Sequence, residues 1–353
     1  MVNARSAVPT DPGADDAASR RPTMSQVAAL AGVSVQTVSN VLNTPGIVRP
    51  ETAAKVRDVI RELDYRPNHA ARQLRTKRSG LIGVRVESGS TDGVFDRFLH
   101  ALTACAADRD YRVLLYTARD DDQELASYDD LMQRWDLDGF VLSHTHEGDR
   151  RAAHLMERGI PCVSFGRDWD GAGTHPWVDV DGAQGTRKAT GHLLAQGHRR
   201  IAFLGWPTDS RVGNDRLAGY RAAMQAAGLP DLPVGHCRNA VDDARLAAHD
   251  LLRRTDATAL VCVSDLVALG ALAAVQLRQA TPGAPAVEVV GFDDTALAEG
   301  AGISSVAQPL TAAAEQSLRL LMDRIDRPTT VDPPTRLLLA PDLVVRTRRT
   351  PPS

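Results

Sequence analysis

Apolar residues along this chain follow two different periods. Between Thr23 and Leu63 they recur at helical spacing: Val27, Leu30 and Ala31 in MSQVAALA; Val35, Val38, Val41 and Leu42 in VQTVSNVLN; Val56, Ile60 and Leu63 in PETAAKVRDVIREL. Thr23 with Gln26 forms a capping-box pattern, Gly32 stops the first helix, Ser34 is a good N-cap for the second, and Pro50 suits the first turn of the third. Three short helices within about fifty residues predict a minimal helix-turn-helix module. From Leu81 the pattern changes to short apolar runs, LIGVRV, YRVLLYT, DGFVLS, PCVSFG, RIAFLGW, TALVCVS and AVEVVGF, separated by roughly the length of a crossover helix. That alternation predicts parallel βαβ units. The runs fit two doubly wound halves better than one sheet, with the division near Asp181 to Gly185 and a return to the first half after Gln308. The expected fold is therefore an N-terminal all-α helix-turn-helix head plus an α/β body of two doubly wound parallel-sheet subdomains.

Four segments follow from this. Residues 1–21 mix Pro, Gly, Asp, Ala and Ser without periodicity and read as a disordered tail. Residues 22–66 are the helical head. Residues 67–79 open with Pro67 and Asn68 and continue as a basic segment whose apolar face is only Ala70, Ala71 and Leu74, too little to hold a helix alone in water. Residues 80–347 form the body, whose informative residues should lie at the tails of the strands, where open α/β sheets bind ligands.

The net charge of -3 is unevenly distributed. Residues 22–79 carry nine Lys and Arg against four Asp and Glu, whereas residues 80–353 carry 29 against 37. A small positive module on an acidic body is what binding a phosphate backbone requires, although a solvated basic face gives the same count. The four cysteines, Cys105, Cys162, Cys237 and Cys262, contain no C-x-x-C pair and read as buried free thiols. His144 and His146 lack a third ligand in sequence, so no metal and no cofactor is expected. There is no apolar run of about 18 residues and no signal peptide, so no membrane contact is expected and the expected location is the cytoplasm.

The second helix presents polar residues outward. Gln36 and Asn40 lie one turn apart on one face, with side-chain amides suited to bidentate contact with adenine, and Val35 could meet a thymine methyl. A plain solvated helix face is the other reading.

The stretches TMSQVAALAGVSVQTVSNVLN, VRPETAAKV, YRPNHAARQLRTKRSGLIGV, GHRRIAFLGWP, RLAGY, SDLVALGAL and VVGFDDT, taken together and in this order, resemble the lactose-repressor family of bacterial transcription factors. The resemblance implies a homodimer whose heads occupy successive major grooves of a near-palindromic operator, and a periplasmic-binding-protein-like body for effector binding and dimerisation, sensing a small molecule, usually a sugar or nucleobase. It makes Val35, Gln36 and Asn40 the base-reading positions. Many members carry arginine at the position of Asn40, so the half-site should differ from the common one. Thr23, Ser34, Thr37 and Thr52 become phosphate contacts, although Thr23 and Ser34 also suit caps in any protein. The segment from Asn68 through Ala71 to Leu74 becomes a hinge helix that forms on the operator and wedges Leu74 into the minor groove.

For the effector pocket the resemblance points first to Arg216, which heads RLAGY at an expected helix start, and to Asp293 at the tail of AVEVVGF. Asp293 could equally cap a helix. Asp265 follows VCVS, but the asparagine usual before it is replaced by Ser264. Glu87 and Ser143 end the first and third strands. Where members place an aromatic ring this chain has Ala240 and Val241, so Trp169, Trp177 and Trp206, read as lying in strand-to-helix loops, are the candidates for a stacking face, Trp206 first.

The leading expectation is an operator-binding repressor released by a small carbohydrate, a glucoside or short oligosaccharide. The alternatives within the family are a nucleobase effector or corepressor-dependent binding. A binding protein without a DNA role would not need the head. An enzyme is not expected, because the chain has no Gly-rich phosphate loop, no nucleophile elbow and no metal cluster.

Overall fold

The computed structural model describes residues 22–66, 78–87, 93–171, 173, 175–280, 284–327 and 334–346. They fall into two compact units that part between Lys77 and Arg78. The expected tail 1–21 and the hinge residues Asn68, Ala71 and Leu74 lie outside the described residues.

The first unit contains helices α1 (Met24–Ala31), α2 (Val35–Asn43) and α3 (Pro50–Glu62), with a short 3-10 turn at Pro45–Ile47. Their ends follow from the sequence. Thr23 Oγ1 accepts from Gln26 N while Gln26 Oε1 accepts from Thr23 N at 2.8 Å, the reciprocal capping box. Gly32 ends α1 at φ 65°, a left-handed conformation that glycine adopts without cost. Ser34 Oγ then caps α2 by accepting from Thr37 N at 3.1 Å. The core joins Val27, Ala28 and Ala31 to Val38, Val41, Val56 and Tyr65. One position differs from the sequence reading: Leu30 is 61% exposed and Ala28 takes its place in the core, whereas Val35, at 44% exposed, points out as a base-contacting residue would have to. On an eight-residue helix the apolar stripe is too short to fix the buried face to better than one residue.

The second unit holds two six-stranded sheets. The first contains β1 (Leu81–Val86), β2 (Arg112–Thr117), β3 (Gly139–Leu142), β4 (Cys162–Phe165), β5 (Trp177–Val180) and β11 (Arg336–Leu339), in the order β11-β5-β4-β3-β1-β2, with all pairings parallel. The second contains β6 (Ile201–Gly205), β7 (Gly235–His236), β8 (Ala259–Cys262), β9 (Glu288–Phe292), β10 (Ser304–Ala307) and β12 (Asp342–Val344), in the order β12-β10-β9-β8-β6-β7. Here only β12 runs antiparallel, against β10. The seven apolar runs became β1–β4, β6, β8 and β9; β5, β7 and β10–β12 were missed because they are two to four residues long and partly exposed.

The first sheet is covered by α4 (Gly93–Ala107), α5 (Asp121–Trp135), α6 (Arg151–Glu157) and α12 (Leu310–Asp326). The second is covered by α7 (Gly182–Ala195), α8 (Arg211–Ala226), α9 (Val241–Arg254) and α10 (Asp265–Gln279), with the short α11 (Ala296–Gly300) packed beside α10 and β10. The chain passes between subdomains three times: from Val180 to Gly182, from Ala307 to Leu310, and from Leu339 to Asp342. Asp181 N donates to Leu339 O at 2.8 Å, binding the first crossing to the third.

Three cysteines are buried, Cys105 is half-buried, and all four are free thiols. Burial pushes the Cys162 thiol up to about 12, so it is not a nucleophile at neutral pH. No helix among the described residues is long and apolar enough to cross a membrane.

Candidate functional site

On the head, α2 displays the side chains that the sequence singled out. Gln36 Nε2 donates to Asn40 Oδ1 at 2.9 Å, so the two amides form a linked pair on an exposed face beside Val35. Gln36 retains its carbonyl oxygen and Asn40 its amide NH2 for other contacts. Ser34 Oγ and Thr37 Oγ1 lie 2.9 Å apart, and Thr23 and Ser34 are both engaged in caps. Thr52 lies in the first turn of α3, partly exposed.

In the body, the side chains with binding potential converge between the subdomains. Helix α8 starts at Arg211, five residues earlier than the sequence suggested, because Ser210 caps it. Arg216 therefore lies in its second turn and is buried, not at a helix start opposing the dipole. Its Nη1 donates to Val263 O at 2.5 Å and reaches Asp293 Oδ1 at 3.4 Å, while its guanidinium lies 3.7 Å from the Phe292 ring centre and 5.3 Å from that of Trp206. Gln308, in the second crossing, donates to the same Asp293 oxygen at 2.7 Å. Asp293 has φ 110° and caps no helix; the next helix is preceded by Thr295.

Arg167, at the tail of β4, enters the same space. It pairs with Asp179 on its own subdomain and with Asp215 on the other, and its guanidinium lies 4.7 Å from the Trp169 ring centre. The cavity among Arg167, Trp169, Asp179, Asp215, Arg216, Phe292 and Gln308 measures about 30 Å³, room for about one water. Arg216 Nε, Trp206 Nε1 and Trp169 Nε1 are buried donors without a partner among the described residues. Each such donor costs about 1–3 kcal/mol, which a ligand acceptor would recover. A wider hollow of about 680 Å³ lies on the surface between α4 and the start of α12. It is shallow and open, whereas the small cavity is where buried charges, aromatic rings and unmatched donors meet.

Other residues singled out in the sequence lie apart from this cavity wall. Asp265 begins α10 and is 1% exposed; its carboxylate accepts from Ser305 Oγ, Thr295 Oγ1 and Thr295 N, tying α10 to β10 and the turn before α11, and it is not in the cavity wall. Burial outweighs those bonds and holds the Asp265 carboxyl above its ordinary value. Ser143 is buried against His144, and its carbonyl accepts from Arg151 Nη2 at 3.0 Å. Glu87 is exposed beside Arg85. Both belong to the surroundings of a buried charge network in which Glu124 accepts from Arg85, Arg151, Tyr116 and Tyr128. Trp177 is the first residue of β5 and not a loop residue, since its strand went unread. Asp121, His146 and Asp149 bring ligand atoms within 4.8 Å of one another, but Arg151 Nη2 already holds Asp149 at 2.7 Å.

Sequence reasoning missed Arg167, Asp179, Asp215 and the cavity role of Gln308. The signal for Arg167 was present, since it follows PCVSFG at a strand tail, the position that open sheets use for ligands. Asp215 had no such signal because it sits inside a helix.

Comparison with known proteins agrees with this geometry. Residues 23–68 match the lacI family of bacterial regulatory proteins, and residues 80–321 match the periplasmic binding proteins and sugar binding domain of the LacI family. The chain is 36% identical to the HTH-type transcriptional regulator CelR of Thermobifida fusca over 340 residues, covering 93% of this chain and 98% of that protein. It is 32% identical to the ribose operon repressor of Escherichia coli K12 over 339 residues, covering 92% and 98%. A solved CelR–cellobiose complex is 33% identical with a TM-score of 0.68, covering 92% of this chain and 99% of that one. The lac repressor dimer bound to operator and the anti-inducer ONPF is 25% identical with a TM-score of 0.75, covering 93% and 98%. Matched in head and body alike, the chain belongs to the LacI family of bacterial regulatory proteins.

Proposed function

We propose that this chain is a transcriptional repressor that binds a near-palindromic operator as a homodimer and releases it when a small carbohydrate, a glucoside or short oligosaccharide, occupies the cleft. The observation that carries the effector reading is Arg216: a buried guanidinium between two aromatic rings, reaching the Asp293 oxygen that Gln308 also holds, with one N–H still unmatched. Sugars offer that set of groups hydroxyls to donate and accept and C–H faces to stack, as the cellobiose complex of the related CelR suggests. A cavity of about 30 Å³ admits such a ligand only if the subdomains part or the arginines swing aside. On the head, the Gln36–Asn40 pair is the reader and Thr23, Ser34, Thr37 and Thr52 face phosphates. The relatives named are regulators of transcription and none is an enzyme, which supports the same role for this chain.

The test uses the full-length protein. Operator half-sites are selected from random duplex DNA, affinity is measured across a salt series, and cellobiose, other glucosides and ribose are added in turn. The reading expects a steep fall of affinity with salt and release by a glucoside. DNA binding that ignores sequence, or a complex that no sugar weakens, would overturn the corresponding half of it.

A further inference from the structure

We propose that Arg167 is the positioning residue that couples the effector cleft to the angle between the subdomains, by clasping Asp215 around the first crossing between them. This rests on the cleft being the effector site, and it assigns that site its mechanical link.

Four contacts define the clasp. Arg167 Nε donates to Asp179 Oδ2 at 2.5 Å and Nη2 to Val180 O at 3.3 Å, both within the first subdomain. The outer nitrogens reach Asp215 Oδ1 and Oδ2 at 3.2 and 3.4 Å, in the second. Asp215 Oδ2 also accepts from Ala183 N at 3.1 Å, in the first turn of α7. Arg167 and Asp215 thus enclose residues 179–183, the segment in which the chain leaves one sheet for the other. Gly182 allows that closeness, since a Cβ there would lie 2.8 Å from Asp215 Oδ2 and 3.0 Å from Arg216 Cγ.

The geometry makes the clasp sensitive to the angle between the subdomains. If they rotate, Arg167 stays with Asp179 and Val180 while Asp215 moves with α8, so the contacts that break are the two across the cleft. Asp215 is next to Arg216 in sequence, on the same turn of α8, so a ligand that draws on Arg216 shifts Asp215 as well. Burial raises the Asp215 carboxyl above its ordinary value, Arg167 and the Ala183 N–H work against that rise, and without Arg167 only the Ala183 N–H would offset burial and the charges of Asp179 and Asp181. Its charge therefore favours the clasped arrangement. An exposed pair would carry little such bias, but these side chains are each only 18% exposed.

The experiment measures the angle directly, with no sugar added. Spin labels at Asp129 on α5 and Asp250 on α9, in a C105S background, report the distance between subdomains in the full-length protein by double electron–electron resonance. R167Q and D215N should broaden or shift the wild-type distribution to the same extent. R167K, which keeps the charge but not the fork, should restore it in part, and the double variant should go no further than either single one. A purely structural role would not give rescue by lysine together with non-additivity. Distributions of R167Q and D215N that overlay the wild type would overturn the proposal. Should R167Q fail to fold, D215N, which keeps side-chain volume, decides it by the same criterion. Adding cellobiose, other glucosides and ribose in turn afterwards tests the other reading separately: if wild type ignores them all, the sugar assignment fails while the clasp stands on the unliganded distances.

Discussion

Gln36 and Asn40 satisfy each other before any DNA arrives, and the bond between them fixes which groups are left to read bases. Asn40 Oδ1 is used as acceptor, so the pair presents a carbonyl from Gln36 and an NH2 from Asn40. Asn40→Arg removes the acceptor, frees Gln36 and introduces a fork suited to guanine. The expected result is an unchanged melting temperature with a different preferred half-site, each altered contact moving discrimination by about 1–3 kcal/mol. Selection from random DNA with both proteins checks this; recovery of the same half-site would remove Asn40 from the reading set. A second prediction concerns His175, buried between β4 and β5, whose Nε2 lies 2.9 Å from Ser164 Oγ. Burial lowers its pKa below the ordinary 6.5, so below that pH the unfolded chain binds a proton that the folded chain resists. Its contribution to stability is full above pH 6.5 and is lost as pH falls through the lowered folded value. Melting curves between pH 8 and pH 5 should show His175→Asn losing less stability on acidification than wild type.

Helices and strands were legible in proportion to their length and burial. Strands β6, β8 and β9 are almost wholly buried continuous runs and announce themselves, whereas β7 is two residues long and β11 alternates exposed with half-buried positions. Arg216 was found by its motif, but its burial was not foreseen, because Ser210 rather than Arg216 sets the helix start. Asp265 looked like a pocket residue by position, yet Thr295 and Ser305, thirty and forty residues on, had already claimed its oxygens. Pairings across that separation are invisible to local pattern. Packing between elements is also hidden in the sequence, and glycines mark it. A Cβ at Gly219 on α8 would land on the Ala183 carbonyl and the Thr186 hydroxyl of α7. Gly219→Ala must therefore push apart the two helices that carry Arg216 and the first crossing. It should cost about 1–3 kcal/mol, seen as a drop of several degrees in melting temperature. Sugar affinity should fall with it, and Gly191→Ala, with open space at its Cβ, should leave both unchanged.

Among the described residues of the body, side chains bridge the two subdomains at three places with different exposure. Arg97 donates to the carbonyls of Asp293 and Asp294, Arg167 pairs with Asp215, and Arg211 pairs with Glu147. The Arg211–Glu147 pair is open to water, with side chains 45% and 61% exposed, so screening leaves it little influence. Arg216, by contrast, is 6% exposed and holds Val263 and Asp293 from inside. A ligand shifts the balance between open and closed arrangements only by its differential affinity for them, so the buried contact should dominate the response. Arg211→Ala is expected to move the sugar concentration that half-releases operator only slightly, and the difference should vanish at high salt. Arg216→Ala should raise that concentration about ten- to a hundredfold at any salt, the loss expected for a buried charged hydrogen bond of about 1.5–3 kcal/mol. Operator titrations at low and high salt, with and without the sugar that best releases wild type, separate the two. If Arg216→Ala released operator at the wild-type sugar concentration, the ligand would not engage Arg216 and the effector site would have to lie away from this cavity.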